Sequence, residues 1–339
     1  LGLHAPARHC IGSSALPAKP WKVWCTIGNL LAVLLWLSPT PVQAAPKPDK
    51  VTVQMKWKHH FQFAGYYAAQ RMGYFAAEGL DAKLVEGGPG RDPLRDVMTA
   101  QAGYGIDDSE LLVARTQGLP VVVVAAIFQH SPYVLMTRTA DGIKEPKDLV
   151  GKRVMVDFDQ RQNQFKAMCI HEGIDPSKIT FLPNSWNLAD LAEGRTDAMS
   201  GYLGKETYQL EQMGVPVSII RPGEHGIDFY GDCLFTTEKE AHEHPARVQA
   251  VRRAVIKGWA YALQHPEEVD SWILAMPGVQ ARGIRLENLA AEAEAMKSLI
   301  LSDIVPLGHL NEERWQAILA VYKELGILPP QRGTERFPF

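Results

Sequence analysis

Along most of this chain, short β-branched runs alternate with longer segments of helical period. "VTVQMKW", residues 51–57, sets Val51, Val53 and Met55 on one face, the period of two that marks a strand. "FAGYYAAQRMGYFAAEGL" predicts a helix that stops near Gly79, and "DAKLVEG" the strand after it. In "RDPLRDVMTAQAG", Asp92 suits an N-cap with Pro93 at the first helical position, and Gly103 follows the helix. "YGIDDSELLVARTQGLP" predicts strand, turn and helix, while "VVVVAAIFQ" is a continuous apolar run suited to a strand covered on both faces. This β-α-β-α-β rhythm implies a mostly parallel sheet with helices on both faces.

A second unit follows from residue 138, with a strand at residues 153–158, a helix, "ITFLPN", a helical stretch and "VPVSIIRPGEHG". From Phe229 the pattern changes: "DCLFTT" is strand-like, and long helices follow, among them "HPARVQAVRRAVIKGWAYALQHP". The expected architecture is an α/β protein of two lobes with mixed, mostly parallel sheets. Residues 51–137 and 229–330 form the first lobe, 138–228 the second, and 331–339 a tail. Open sheets of this kind hold ligands off the carboxyl ends of their strands. Those ends carry Trp57, the turn at 87–92, Asp107 to Ser109, Gln129 with His130, residues 157–160 and Tyr202.

Composition narrows the function classes. In 339 residues, 46% hydrophobic and 22% charged content are ordinary globular values. The formal charge of −3 argues against a nucleic-acid partner held electrostatically. Arg8, Lys19 and Lys22 precede the apolar run "IGNLLAVLLWL", and "SPTPVQA" follows it, which is the layout of a secretory signal peptide cleaved between Ala44 and Ala45. That run spans roughly 16 Å as a helix, short of a ~30 Å bilayer core. Residues 1–44 are therefore expected to direct export to the periplasm, with 45–50 as a linker. Their removal takes the formal charge from −3 to −6, because they hold three basic residues and no acidic ones. Cys169 and Cys233 then remain, as a bridge or as buried thiols. The histidines at 59, 60, 171, 242 and 244 lack a zinc spacing, and "EGGPGRDP" lacks a dinucleotide pattern, so neither metal nor cofactor is expected.

Candidate chemistry concentrates early. Trp57, Phe61, Phe63, Tyr66 and Tyr67 fall close together, and Trp57 is either a cap on the core or a stacking face for a flat ring, with Phe63, Tyr66 or Tyr67 opposite. Gly88 sits in a glycine-rich stretch that is either a plain turn or a seat for an oxygen ligand on its backbone N–H groups, and Arg91 either clamps such an oxygen or faces solvent. Asp107 and Asp108 follow a strand. Either Asp108 or Ser109 caps the next helix, or one carboxylate receives the exocyclic amine of a heterocycle.

The segment "WKHHFQFAGYYAAQRMGYFAAEGLDAKLVEGGPG" resembles the opening of the NMT1/THI5-like proteins, within the SsuA/THI5-like periplasmic binding group. The similarity continues through "GLPVVVVAAIFQHSP", "DLVGKRVMV", "EGRTDAMSGY" and "VPLGHLNEERW". The resemblance implies a type 2 periplasmic-binding fold and, for many relatives, recognition of thiamine-precursor pyrimidines. With lobe geometry, it adds Asp157, Tyr202, Asp228 and Tyr230 to the candidate ligand residues. The expected role is a monomeric solute-binding protein that delivers a small planar heterocycle to an ABC permease. Two alternatives stand beside it: a ligand sensor acting with a separate signalling chain, and a thiamine-pyrimidine synthase. The fungal synthases of the family use a lysine for pyridoxal phosphate, a reacting histidine and a cysteine-rich iron motif. At the matching positions this chain has Ile106, Glu110 and the single Cys233, which disfavours that chemistry.

Overall fold

The structure, a computed structural model, describes residues 47–157, 162–326 and 328. The expected signal peptide, the tail from 331 and positions 158–160 of the cleft segment lie outside the described residues. In chain order the strands are β1 Asp49–Gln54, β2 Leu80–Val85, β3 Tyr104–Asp107, β4 Val121–Phe128 and β5 Tyr133–Arg138. They continue as β6 Arg153–Val156, β7 Thr180–Pro183, β8 Ala198–Tyr202, β9 Val217–Ile220 and β10 Gly231–Thr237. These make two five-stranded sheets, ordered β2-β1-β3-β10-β4 and β7-β6-β8-β5-β9.

Both sheets are mixed. In the first, β1 runs parallel to β2 and β3, while β10 returns antiparallel between β3 and β4. In the second, β6 lies parallel to β7 and β8, and β5 is antiparallel to β8 and β9. The chain passes between sheets twice, after β4 and after β9. Residues 133–137 belong to β5 and hence to the second sheet, ahead of the boundary expected at 138. The apolar run at β4 is buried at all eight positions, although it occupies the edge of its sheet. Its exposed side is covered from elsewhere: Arg252 Nε donates to the Val124 carbonyl (3.1 Å), and the amide after the strand, at Gln129, donates to the Leu299 carbonyl (2.7 Å).

The helix expected through Gly79 breaks in the middle. Helix Ala64–Arg71 ends, and a second short one, Tyr74–Ala77, begins past Gly73 at φ +72°, a left-handed conformation that side chains resist. Asp92 does cap helix Pro93–Met98, accepting from the Arg95 amide at 3.1 Å, but the helix closes well before Gly103. Helix Ala64–Arg71 packs on the long helix Pro245–Gln264 through two glycines. A Cβ added at Gly258 would lie 2.0 Å from the Gly65 carbonyl oxygen, and one at Gly65 would lie 2.2 Å from the Trp259 ring. Since backbone cannot yield as a side-chain tip does, Gly258→Ala is expected to cost about 1–3 kcal/mol of stability. Urea unfolding of the variant measures it; an unchanged midpoint would mean that the two helices separate freely.

Candidate functional site

The site forms where strand ends from both sheets face one another. The first sheet contributes Lys56 and Trp57 beyond β1, Asp107 and Asp108 at the end of β3, and Asp232 at the start of the antiparallel β10. From the second come Tyr133 at the start of β5, Asp157 after β6, Trp186 after β7, and Ser200 to Tyr202 at the end of β8. Between them is a narrow slot lined by Trp57, Trp186, Gln62, Tyr133, Asp157 and Tyr202, with Lys56, Lys205 and Glu206.

Two indoles form its mouth. The rings of Trp57 and Trp186 stand 5.0 Å apart at an interplanar angle of 38°. Trp57 is half-buried, and Lys205 Nζ lies 5.4 Å from its ring centroid. Trp186 is 47% exposed and holds φ at +59°, an uncommon conformation for a bulky residue. Side chains of its own loop keep it there: Asn184 Oδ1 accepts from the Trp186 amide (3.0 Å), and Ser185 Oγ accepts from the Asn187 amide (3.2 Å).

The floor is a buried polar cluster. Lys56, only 5% exposed, places Nζ against Asp108 Oδ1 and 2.6 Å from Asp232 Oδ1. Asp108 Oδ1 also accepts from the Asp232 amide at 3.2 Å. The Tyr202 hydroxyl donates to Asp232 Oδ1 (2.8 Å), and Gln62 Nε2 donates to the Tyr202 oxygen (3.0 Å) and to Asp232 Oδ2 (3.1 Å). Tyr202 stands on the second sheet and the others on the first side, so this network crosses the cleft. Burial raises the affinity of the Asp232 carboxyl for a proton, the Lys56 ammonium opposes this, and Asp108 adds to it; the balance lies above the usual carboxylate range. Burial likewise pushes the Tyr202 hydroxyl well above its ordinary value, keeping it a donor. At the rim, burial acts to raise Glu206 but is outweighed by Lys205, 2.7 Å away, and by the Tyr202 amide, so its carboxyl stays below the ordinary value.

A second polar group anchors the loop that carries Trp57 and Gln62. Glu292 Oε2 accepts from the Phe61 amide (3.1 Å) and lies 3.3 Å from His60 Nδ1. Near it Asp270, 2% exposed, has its carboxyl pushed up to about 7, mainly by burial and then by Glu292 and Glu267. An acid whose folded value is raised lends most stability below its unfolded value near 4 and loses that stability as pH climbs to about 7. Asp270→Asn should therefore flatten the fall in melting temperature across that window. Equal slopes for variant and parent in scanning calorimetry from pH 4 to 8 would contradict this.

The expected ligand residues divide. Trp57, Asp157 and Tyr202 line the slot. Gly88, Arg91 and Asp107 line a wider open groove that meets the slot at Lys56, Trp57 and Trp186. Asp108 lies in the floor, and neither it nor Ser109 caps the following helix: Ser109 Oγ donates to the Tyr230 carbonyl (2.8 Å). Phe63 and Tyr66 are wholly buried in the core, Tyr66 edge-on to Trp259 of helix Pro245–Gln264. That removes both as partners for a ring on Trp57. Asp228 and Tyr230 lie apart from the slot. Asp228 pairs with His130 (2.6 Å) and Arg314 (2.8 Å), while the Tyr230 hydroxyl accepts from the Asn311 amide (3.1 Å). Cys169 and Cys233 are separate buried thiols. Sequence reading missed Lys56, Gln62, Asp232 and Trp186. For Trp186 the signal was present: a tryptophan among turn-formers in "NSWN" has no core to enter.

Comparison with known proteins places this architecture. The family model described as NMT1/THI5 like matches residues 60–269. The chain belongs to that family. A formylaminopyrimidine-binding protein of Halalkalibacterium halodurans is 26% identical over 86% of this chain and 91% of its own. The riboflavin-binding protein RibY of Chloroflexus aurantiacus is 24% identical over 89% and 92%. The family also holds enzymes: 4-amino-5-hydroxymethyl-2-methylpyrimidine phosphate synthase THI5 of Saccharomyces cerevisiae is 25% identical over 66% of this chain and 69% of its own. Among solved structures, the periplasmic aliphatic sulphonate binding protein SsuA of Escherichia coli superposes with a TM-score of 0.67 at 15% identity, covering 87% of this chain and 92% of that one. The fold is thus that of the type 2 periplasmic binding proteins, as the resemblance implied.

Proposed function

We propose that this NMT1/THI5-like protein is a periplasmic solute-binding protein of an ABC importer, exported by residues 1–44, and that it binds a flat nitrogen heterocycle of the thiamine-precursor pyrimidine class. The observation that carries the reading is the pair Trp57 and Trp186, one from each side of the cleft, over a floor of fixed hydrogen-bonding groups. A ring gripped on both faces needs two van der Waals spacings of ~3.5 Å, or about 7 Å between the indoles. The ligand therefore parts the present 5.0 Å pair, with the exposed Trp186 giving way, and the cleft closes on three stacked rings.

Charge supports a ligand of low negative charge. Lys56 is held by Asp108 and Asp232, and Lys205 by Glu206, so a sulfonate would have to draw either lysine out of an ion pair. The relatives that bind a formylaminopyrimidine and a riboflavin agree with a planar heterocycle. Synthase chemistry lacks support in these residues: Ile106 is fully buried inside β3, Glu110 carries no imidazole, and Cys233 is enclosed in β10. Gly88, Arg91 and Asp107 receive whatever substituent leaves the slot through the outer groove.

The test is mass spectrometry of small molecules released when protein purified from periplasm is denatured. The expected species is a nitrogen heterocycle that rebinds and is recovered unchanged. A sulfonate, or conversion of the rebound compound, would reject the reading.

A further inference from the structure

We propose that Gln62 selects the ligand's edge: its side-chain carbonyl receives an N–H donor, so the slot takes rings bearing an amino group in preference to their oxo counterparts. This rests on the heterocycle-binding reading and adds the residue that reads the substituent.

Gln62 is 2% exposed and lines the slot. An amide of this kind can present either end to a neighbour, and only its partners decide which. Here Asp232 decides. Its carboxylate accepts hydrogen bonds, with the Lys56 ammonium 2.6 Å away to hold the negative charge, so the group facing it must be Gln62 Nε2. Tyr202 fits the same assignment: its hydroxyl spends its proton on Asp232 and is left to accept from the same Nε2. Both donors of the amide are thereby engaged within the protein. The Gln62 carbonyl oxygen accepts no hydrogen bond from a described residue and is not among the buried atoms shut off without a partner. It is an acceptor of fixed direction at the slot.

The φ of Asp232 is +42°, in the left-handed region that aspartate enters more readily than most side chains. That backbone turn sets its carboxylate beneath Lys56, Tyr202 and Gln62 at once. Because Tyr202 arrives from the second sheet, the lock on the amide is completed only when the cleft is closed.

The test uses matched pairs that differ only in amino against oxo: 4-amino-2-methylpyrimidine with 2-methylpyrimidin-4-one, and adenine with hypoxanthine. Calorimetry on ligand-stripped protein is expected to favour an amino compound by about tenfold or more, the worth of one well-placed hydrogen bond plus the mismatch of two facing carbonyls. Gln62→Met should erase that preference by weakening the amino compound alone. Asp232→Asn should narrow it, since asparagine can donate as well as accept and frees the Gln62 amide to turn. Circular dichroism establishes that each variant is folded, and if Gln62→Met is not, Asp232→Asn decides. A preference that survives both substitutions, or one for the oxo compound, overturns the proposal. A preference in the adenine pair alone would reject the pyrimidine class and uphold the role of Gln62. Folded parent protein that binds no amino compound would overturn both.

Discussion

Trp57→Ala should lose about thirty- to a thousandfold in affinity for the heterocycle, some 2–4 kcal/mol, while the ligand-free protein melts close to the parent temperature. The two halves of that expectation have one cause. Trp57 is half-buried and leans on an exposed Trp186 across the cleft, so its truncation removes a stacking face and opens little of the core. Phe63 and Tyr66, a few residues on, behave oppositely: both are sealed against the helices, and their loss should unfold the protein rather than empty it. Titration calorimetry with the ligand recovered from the protein, beside a melting curve of the stripped form, separates the cases. Retained affinity with a large fall in melting temperature would make Trp57 a core residue.

Lys56→Met is expected to cost the folded protein about 3–5 kcal/mol, the penalty of removing a cation from between two buried carboxylates. Asp108 and Asp232 share that lysine, and their side chains are 6% and 1% exposed. Neutralising them as well, with Asp108→Asn and Asp232→Asn on the Lys56→Met background, should recover part of the loss, because the desolvated charge is then gone. Guanidinium unfolding of the single and triple variants measures both steps. A triple variant weaker than the single one would place the contribution of Lys56 in its packing against the Tyr133 and Tyr202 rings, whose centroids lie 5.6 and 5.2 Å from its ammonium.

The alternation of apolar runs was enough to place most strands, since side chains that alternate faces must be buried on one of them whatever the fold does next. Asp92 ahead of Pro93 marked its helix start for an equally local reason: a cap bonds to an amide three residues away. The sharing of strands between sheets was less legible. β5 and β10 both enter antiparallel, and a strand's own residues say little about which neighbour it meets.

The site was legible in kind and mostly hidden in detail. An aromatic-rich loop after the first strand pointed to Trp57, and strand ends pointed to Asp157 and Tyr202. The choice among Trp57, Phe63 and Tyr66 turned on burial supplied from elsewhere in the fold: Phe63 and Tyr66 are sealed in the core, Tyr66 against Trp259 far along the chain. Nothing local singles out Lys56, since a lysine is ordinarily kept in water. Asp108 and Asp232, 52 and 176 positions later, make its burial tolerable, and Tyr202 reaches the same carboxylate from the other sheet. Local periodicity and capping determined the elements, as both depend on residues a few positions apart. Which side chains face the ligand was decided by contacts between segments that only the tertiary structure brings together.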